Sequence, residues 1–272
     1  MHANFYIAMK NSTLSAGQPF DALARTYDSD FTDTEIGKLL RGRTHEQMAG
    51  LFPAGSELLE INCGTGEDAV FLAKLGAHVI ATDESAEMIS CARDKISRAG
   101  LSDKVELKHC RFEELDSVLD KERVFDGIVS NFGGINCSED IVTLSVTLTQ
   151  RVRSGGHIFL CIMGRWTPWE WFYLGWQGKF RRIWQRIKGI TVWRGGTIRY
   201  YSPGRIIQCF AAYCDVSTVS GMGFLLPPTY AGTFVSRNPS LFRWLNSLEK
   251  KFESIIGIPH ISDHFVLILT KR

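Results

Sequence analysis

The chain has 272 residues, 44% of them hydrophobic, and 31 Lys and Arg against 29 Asp and Glu. That suits one large α/β core with an elaboration, and a formal net charge of +2 gives no reason to expect a nucleic-acid partner. Seven scattered cysteines without a CxxC pair, no signal-type apolar region near the start and no bilayer-length apolar run read as a cytoplasmic protein with reduced thiols and no metal.

Residues 1–19 are weakly patterned, and a loose arm is expected there. From Phe20 to Met48 the apolar spacing is helical, with Tyr27 and Asp28 in the first part and Ile36, Leu39 and Leu40 in the second. Pro53-Ala54-Gly55 breaks the chain before a predicted strand at 57–62. A helix at 66–75 and a strand at 77–83 follow. Ser85 is a suitable N-cap for a helix over 86–99, whose Met88, Ile89, Ala92 and Ile96 share one face. Next come a strand at 104–109, a short helix at 113–119 and a strand at 124–131. A helix at 138–152 ends at Ser154-Gly155-Gly156, and a strand runs over 158–163. Strand and helix in alternation predict parallel pairing through right-handed crossovers.

Residues 57–84 are the most informative stretch. A short apolar run stops at a turn holding Gly64 and Gly66, a helix follows, and a second apolar run ends on Asp83. Glycines allow a sharp bend and let a ligand lie against the backbone. A helix opening at that turn aims free N–H groups at the ligand. A carboxylate at the tip of the next strand can accept hydrogen bonds from both hydroxyls of a ribose. The third glycine of a dinucleotide fingerprint is missing, because its position is Ala69.

The pattern Glu60-x-Asn62-x-Gly64-x-Gly66 followed by Asp83 resembles motif I and the partner acid of class I S-adenosylmethionine-dependent methyltransferases. The resemblance covers roughly residues 20–163, with weaker support at 203–221 and 264–272. It implies an α/β, Rossmann-like fold: a seven-stranded, mostly parallel sheet whose last strand, 264–272, enters antiparallel. It also implies S-adenosylmethionine as cofactor, with S-adenosylhomocysteine as product. Phe20–Asp28 looks like the N-terminal helix of small-molecule methyltransferases of the ubiquinone and menaquinone type, in which a tyrosine closes over the methionine end of the cofactor; Tyr27 matches it. Asn62 stands where the family usually has its first glycine, and Asn tolerates a left-handed backbone. Asp83 matches the ribose carboxylate, with Glu84 its neighbour, and Met88 matches an apolar residue that packs on adenine. Arg111 falls where many relatives carry an acid for the adenine amino group, so backbone groups around Phe112 are expected to hold adenine instead. Asn131 ends the strand whose tip faces the methyl group; Phe132-Gly133 follows it, so the Asn-Pro-Pro-Tyr tetrad of nucleic-acid amino-methylating enzymes is absent.

The segment after the fifth strand is aromatic. Six of the seven tryptophans fall between Trp166 and Trp193. A lid over the acceptor is one reading, with Trp166 and Trp169 against the substrate. Contact of the basic, amphipathic stretch 179–188 with a membrane or lipid is another, and packing or a dimer contact is a third. Residues 194–203 read as a hairpin in which alternation lets only one of Tyr200 and Tyr201 face the substrate. Helix 203–212, a strand at 215–221 and an apolar loop over 221–230 complete the C-terminal part. The expected organisation is an arm and lid over 1–50, a core over 51–163 and 203–272, and a cap over 164–202. Candidate bases are His157, His260 and His264, with Asp263 able to orient a histidine; no catalytic residue is assigned. The expected activity is methyl transfer to a small, apolar or aromatic metabolite. A macromolecular acceptor, or a non-methylating protein that keeps the fold, are the alternatives.

Overall fold

The structure, a computed structural model, describes residues 20–193, 196–227 and 232–272. The expected arm at 1–19 lies outside them, as do Arg194 and Gly195 of the hairpin and Pro228, Thr229 and Tyr230 of the apolar loop.

The strands are β1 (Glu57–Ile61), β2 (His78–Asp83), β3 (Val105–His109), β4 (Phe125–Ser130), β5 (Val152–Met163), β6 (Ile190–Trp193), β7 (Gly196–Arg199), β8 (Cys214–Met222) and β9 (His264–Lys271). Seven of them form one sheet in the order β3-β2-β1-β4-β5-β9-β8. β1 to β5 pair in parallel, and β9 runs antiparallel to both β5 and β8. β6 and β7 form a separate antiparallel ribbon.

Helices cover both faces of the sheet, so its strands are apolar on both sides. Alternate side chains then enter two different cores. Leu58, Val79, Val129 and Phe159 join Leu40, Leu72, Ile89 and Phe242 of the helices Glu35–Leu51, Glu67–Lys74, Ala86–Arg98 and Pro239–Phe252. Leu59, Ile128, Ile158 and Leu267 join Leu144, Leu148, Ile206 and Phe210 of the helices Ile141–Gln150 and Pro203–Phe210.

Three elements differ from the sequence expectation. The helical run from Phe20 does not continue to Met48. It winds into a π-turn over Asp28–Thr32, closed by Asp33 N donating to Asp28 O at 2.7 Å, and restarts at Glu35. Thr34 caps the new helix, its Oγ1 accepting from Gly37 N at 3.0 Å. The chain doubles back so tightly here that a Cβ on Gly37 would stand 1.9 Å from Phe31 O.

The second difference is β5, which begins at Val152 rather than 158. Val152 pairs with Phe125 straight after the helix, and a bulge with Gly155 at φ +77° intervenes before His157 pairs with Gly127. His157 therefore sits within the strand, its Nδ1 3.1 Å from Thr270 Oγ1. The third is the helix Pro239–Phe252, in the stretch between residues 230 and 264 to which the sequence pattern assigns no element. Arg43 fastens it, pairing with buried Glu249 and with Glu253 while donating to Gly221 O at 3.0 Å.

Candidate active site

The β1 tip builds the first wall. Asn62, Gly64 and Gly66 take φ of +57°, +54° and +78°, three left-handed residues alternating within five. Gly66 then caps the helix Glu67–Lys74. At Gly64 a Cβ would meet nothing within 4 Å, so the missing side chain leaves open space beside the backbone. At Gly66 it would stand 2.9 Å from Ala92 Cβ, so this second glycine serves helix packing.

Asp83 ends β2 and ties the turn in place. Its Oδ2 accepts from Gly64 N at 2.8 Å and its Oδ1 from Ser85 N at 2.9 Å. Each oxygen keeps a second lone pair for another donor. Burial pushes its carboxyl above the usual range, opposed by those two amide bonds.

Beneath the turn lies a buried polar cluster. Asp68 meets Arg41 Nη1 and His45 Nε2, each at 2.7 Å, and accepts from Asn131 Nδ2 at 3.0 Å. Burial raises the Asp68 carboxyl, but the Arg41 charge and the His45 bond outweigh it and hold it well below the carboxylate range. Glu60, one layer deeper, has no such partner. Its Oε2 is orphaned, and burial, reinforced by the charge of Asp68, pushes its carboxyl well up.

The N-terminal segment closes over this wall on two latches. Asp28 accepts from Thr65 Oγ1 at 2.7 Å and pairs with Lys95 at 2.8 Å. Asp21 accepts from Ser85 Oγ. The same segment sets Tyr27 against Phe31, and Phe31 edge-on to Phe132 at 5.0 Å, with the Arg41 guanidinium 4.8 Å over the Phe132 ring. Burial pushes the Tyr27 phenol up to about 12, partly offset by Arg41.

A cavity of about 880 Å³ runs from this wall to the cap. At one end it is lined by Tyr27, Asn62, Gly64, Asp83, Glu84 and Met88, and Asn131 lies at its middle. At the other end stand Leu174, Gln185, Val192, Ile198 and Tyr200. Of the remaining residues expected at the site, Glu60, Gly66, Arg111, Phe112, Trp166, Trp169 and Tyr201 do not line it. Glu60 and Gly66 lie beneath the turn. Arg111 is exposed at the rim, 3.9 Å from Glu84 and 3.5 Å from Glu113, and Phe112 packs on the second core. Trp166 sits edge-on to Trp171, and Trp169 stacks on Phe172. Tyr201 bridges to Gly164 and packs on the second core, while Tyr200 faces the cavity beneath Arg186.

The cap consists of the helices Pro168–Trp176 and Phe180–Lys188 and the β6–β7 ribbon. Its central residue is Arg186, which the sequence placed on a basic stripe. It is buried, pairs with Glu170 at 2.5 Å and Asp263 at 2.8 Å, and donates to Gly164 O at 3.0 Å. Asp263 in turn lies 3.1 Å from His264 Nδ1. Burial would raise the Asp263 carboxyl, but Arg186 and then His264 hold it well below its ordinary range. The His264 ring lines the cavity and meets Phe132 edge-on at 5.8 Å. Nδ1 is enclosed and, at that distance from Asp263, makes no aligned hydrogen bond. His260 lies in a 3₁₀ turn, exposed and outside the cavity lining.

Phe31, Phe132 and Leu174 line the cavity too, and sequence periodicity did not single them out. Phe132 carried one signal, a residue between a strand end and a Gly-Gly pair; it takes φ +48°, rare for a bulky side chain.

An adenosyl sulfonium fits this donor set. The space beside Gly64 admits a flat ligand against the backbone, Asp83 offers free lone pairs, and Asn62 Oδ1 is a buried acceptor without a partner. The comparisons agree. Residues 58–156 match the family described as a methyltransferase domain. Demethylmenaquinone methyltransferase of Clavibacter sepedonicus is 33% identical over 144 residues, 52% of this chain and 55% of that protein. Ubiquinone biosynthesis O-methyltransferase of Xanthomonas axonopodis pv. citri is 26% identical over 175 residues, 62% of this chain and 68% of that protein. The chain thus spans about half to two thirds of the length of these relatives. A putative sarcosine dimethylglycine methyltransferase from Galdieria sulphuraria has the same fold, with a TM-score of 0.61 at 14% identity over 92% of this chain and 98% of that one. With its strand order, its antiparallel β9 and a glycine turn tied to a β2 carboxylate, the chain has the fold of the class I S-adenosylmethionine-dependent methyltransferases, and its residues 58–156 match a methyltransferase domain.

Proposed function

We propose that this protein transfers the methyl group of S-adenosylmethionine to a small, apolar or aromatic metabolite bound beneath the cap. One observation carries the reading: a single cavity joins the Gly64–Asp83 wall to a chamber under the cap, where Leu174, Val192, Ile198 and Tyr200 stand beside the charged Glu170, Arg181, Arg182 and Arg186. A chamber of that shape takes a compact, greasy molecule and sheds the water around it.

When bound, the cofactor supplies an electrophilic methyl group on a positively charged sulfur. The chain's own residues do the rest. Asp83 would accept from the ribose hydroxyls, Met88 would pack on the adenine, and Asn62 Oδ1 would accept from the amino-acid end. Tyr27, Phe31 and Phe132 enclose the middle of the cavity and exclude water. The acceptor rests on the cap residues, aligned with the donor carbon. Where the acceptor is a hydroxyl, His264 Nε2 takes its proton, and the Asp263 carboxylate steadies the resulting imidazolium. Cys137 lines the cavity as a neutral thiol, because burial pushes it up to about 12.

Isothermal titration with S-adenosylmethionine and S-adenosylhomocysteine tests the reading. Asp83→Ala removes acceptors for charge-assisted bonds and should weaken binding by about 1.5–3 kcal/mol for each bond lost. A radiolabelled methyl transferred to members of a panel of quinols, phenols and amines identifies the acceptor. Unchanged affinity in the Asp83 variant contradicts the assigned cofactor site.

A further inference from the structure

The cap carries a charge distribution and an exposed surface that the cavity does not use. Residues 164–202 hold eight Lys and Arg and a single acid, Glu170, in a chain whose remainder is net acidic. That acid is buried and paired with Arg186. The outer face of the cap therefore has no anionic side chain among its described residues. It has aromatic ones. Phe172 and Trp176, four apart on the first cap helix, are 64% and 85% exposed. Phe180 and Trp184, four apart on the second, are 61% and 62% exposed. Lys179 and Lys188 are exposed at the two ends of the second helix.

Four exposed aromatic side chains on two helices that pack together make a larger apolar surface than a soluble protein leaves in water without use. Aromatic rings rimmed by Lys, on a face without acids, match the boundary between lipid headgroups and acyl chains. A second copy of the same face would set like charges against each other. A nucleic-acid duplex, its bases stacked inside, would meet the cations but leave the rings unburied.

We propose that the outer face of the cap, centred on Phe172, Trp176, Phe180 and Trp184, docks on the surface of an anionic lipid bilayer. The second cap helix and β6 also line the cavity, through Gln185 and Val192, so docking would hold the acceptor chamber against the lipid.

Co-sedimentation of the full chain with vesicles decides it, using phosphatidylcholine alone or mixed with phosphatidylglycerol. The chain should sediment with the mixed vesicles and roughly tenfold less with the neutral ones, and added salt should release it. The double variant Trp176→Ser, Trp184→Ser should lose binding about tenfold or more. Lys179→Gln with Lys188→Gln should lose roughly fivefold per charge, and only on mixed vesicles. Retained binding of S-adenosylhomocysteine by both variants reports that the fold is intact, since none of the four residues lines the cavity. No sedimentation of the parent chain, or sedimentation that both variants leave unchanged, overturns the proposal. So does a concentration-dependent dimer that the Trp variant abolishes while vesicle binding is absent, and so does single-stranded RNA binding that replaces vesicle binding.

Discussion

At the residue scale the glycine turn does two separate jobs with similar letters. Gly64 leaves space for a ligand, whereas Gly66 leaves space for Ala92. Gly66→Ala combines a left-handed φ of +78° with a 2.9 Å approach, so unfolding in urea should show a loss of about 1–3 kcal/mol. A variant as stable as the parent would mean that the turn has another conformation. Glu60 gives a second prediction. Its carboxyl holds a proton more tightly in the folded chain than in the unfolded one, so its contribution to stability falls as pH rises from the ordinary carboxyl range through its raised folded value. Asp68 has the opposite sign: its stabilisation is complete above the ordinary range and is lost as pH falls toward its lowered value. Glu60→Gln should therefore gain stability relative to the parent as pH rises from the ordinary carboxyl range toward the raised value of Glu60, read by urea titration at each pH. A constant difference across that span would refute the assignment. Much of the site was legible from sequence because it is local: Gly64 and Asp83 lie within one strand-turn-helix-strand unit, and Met88 on the helix that follows it. What the letters hid was depth. Glu60 and Arg111 occupy motif positions, yet one is sealed beneath the turn and the other stands on the rim, and only packing decides that.

At the element scale, the elements carried by regular periodicity were readable and those made by long-range pairing were not. The core strands follow from continuous apolar runs, and the cap at Ser85 from its hydroxyl. The π-turn has no periodic signature, because it arises where Asp28 is drawn to Thr65 and Lys95, 37 and 67 positions away. The helix Pro239–Phe252 escaped because its anchor, Arg43, lies 206 residues from Glu249. Arg186 looked like surface charge for the same reason: both its carboxylate partners lie on other elements. The Asp28 latch can be tested directly. Asp28→Asn loses the ion pair with Lys95, worth about 1 kcal/mol at a partly exposed site. Trypsin should cut after exposed Arg25 several-fold faster in the variant. An unchanged cleavage rate would show that the latch does not hold the lid.

At the scale of the whole molecule, two cores on opposite faces of one sheet converge on the carboxyl ends of β1, β2 and β4, where the cavity opens between the lid, the turn and the cap. A ligand that binds only the folded chain stabilises all of it by mass action, by about 2.7 kcal/mol at a hundred times its dissociation constant. S-adenosylhomocysteine should accordingly raise the melting temperature of the parent and raise it much less for Asp83→Ala; equal shifts would place the ligand elsewhere. The strand order has a consequence of its own. β9 comes later in sequence than either of its neighbours, yet it lies inside, between β5 and β8. A growing polypeptide must hold a slot open beside β5 while β8 waits unattached, and His264 enters with the strand that fills the slot. Until then β5 presents a bare apolar edge, open to capture by any passing strand. Chaperone demand during synthesis should therefore concentrate on the interval between those two strands.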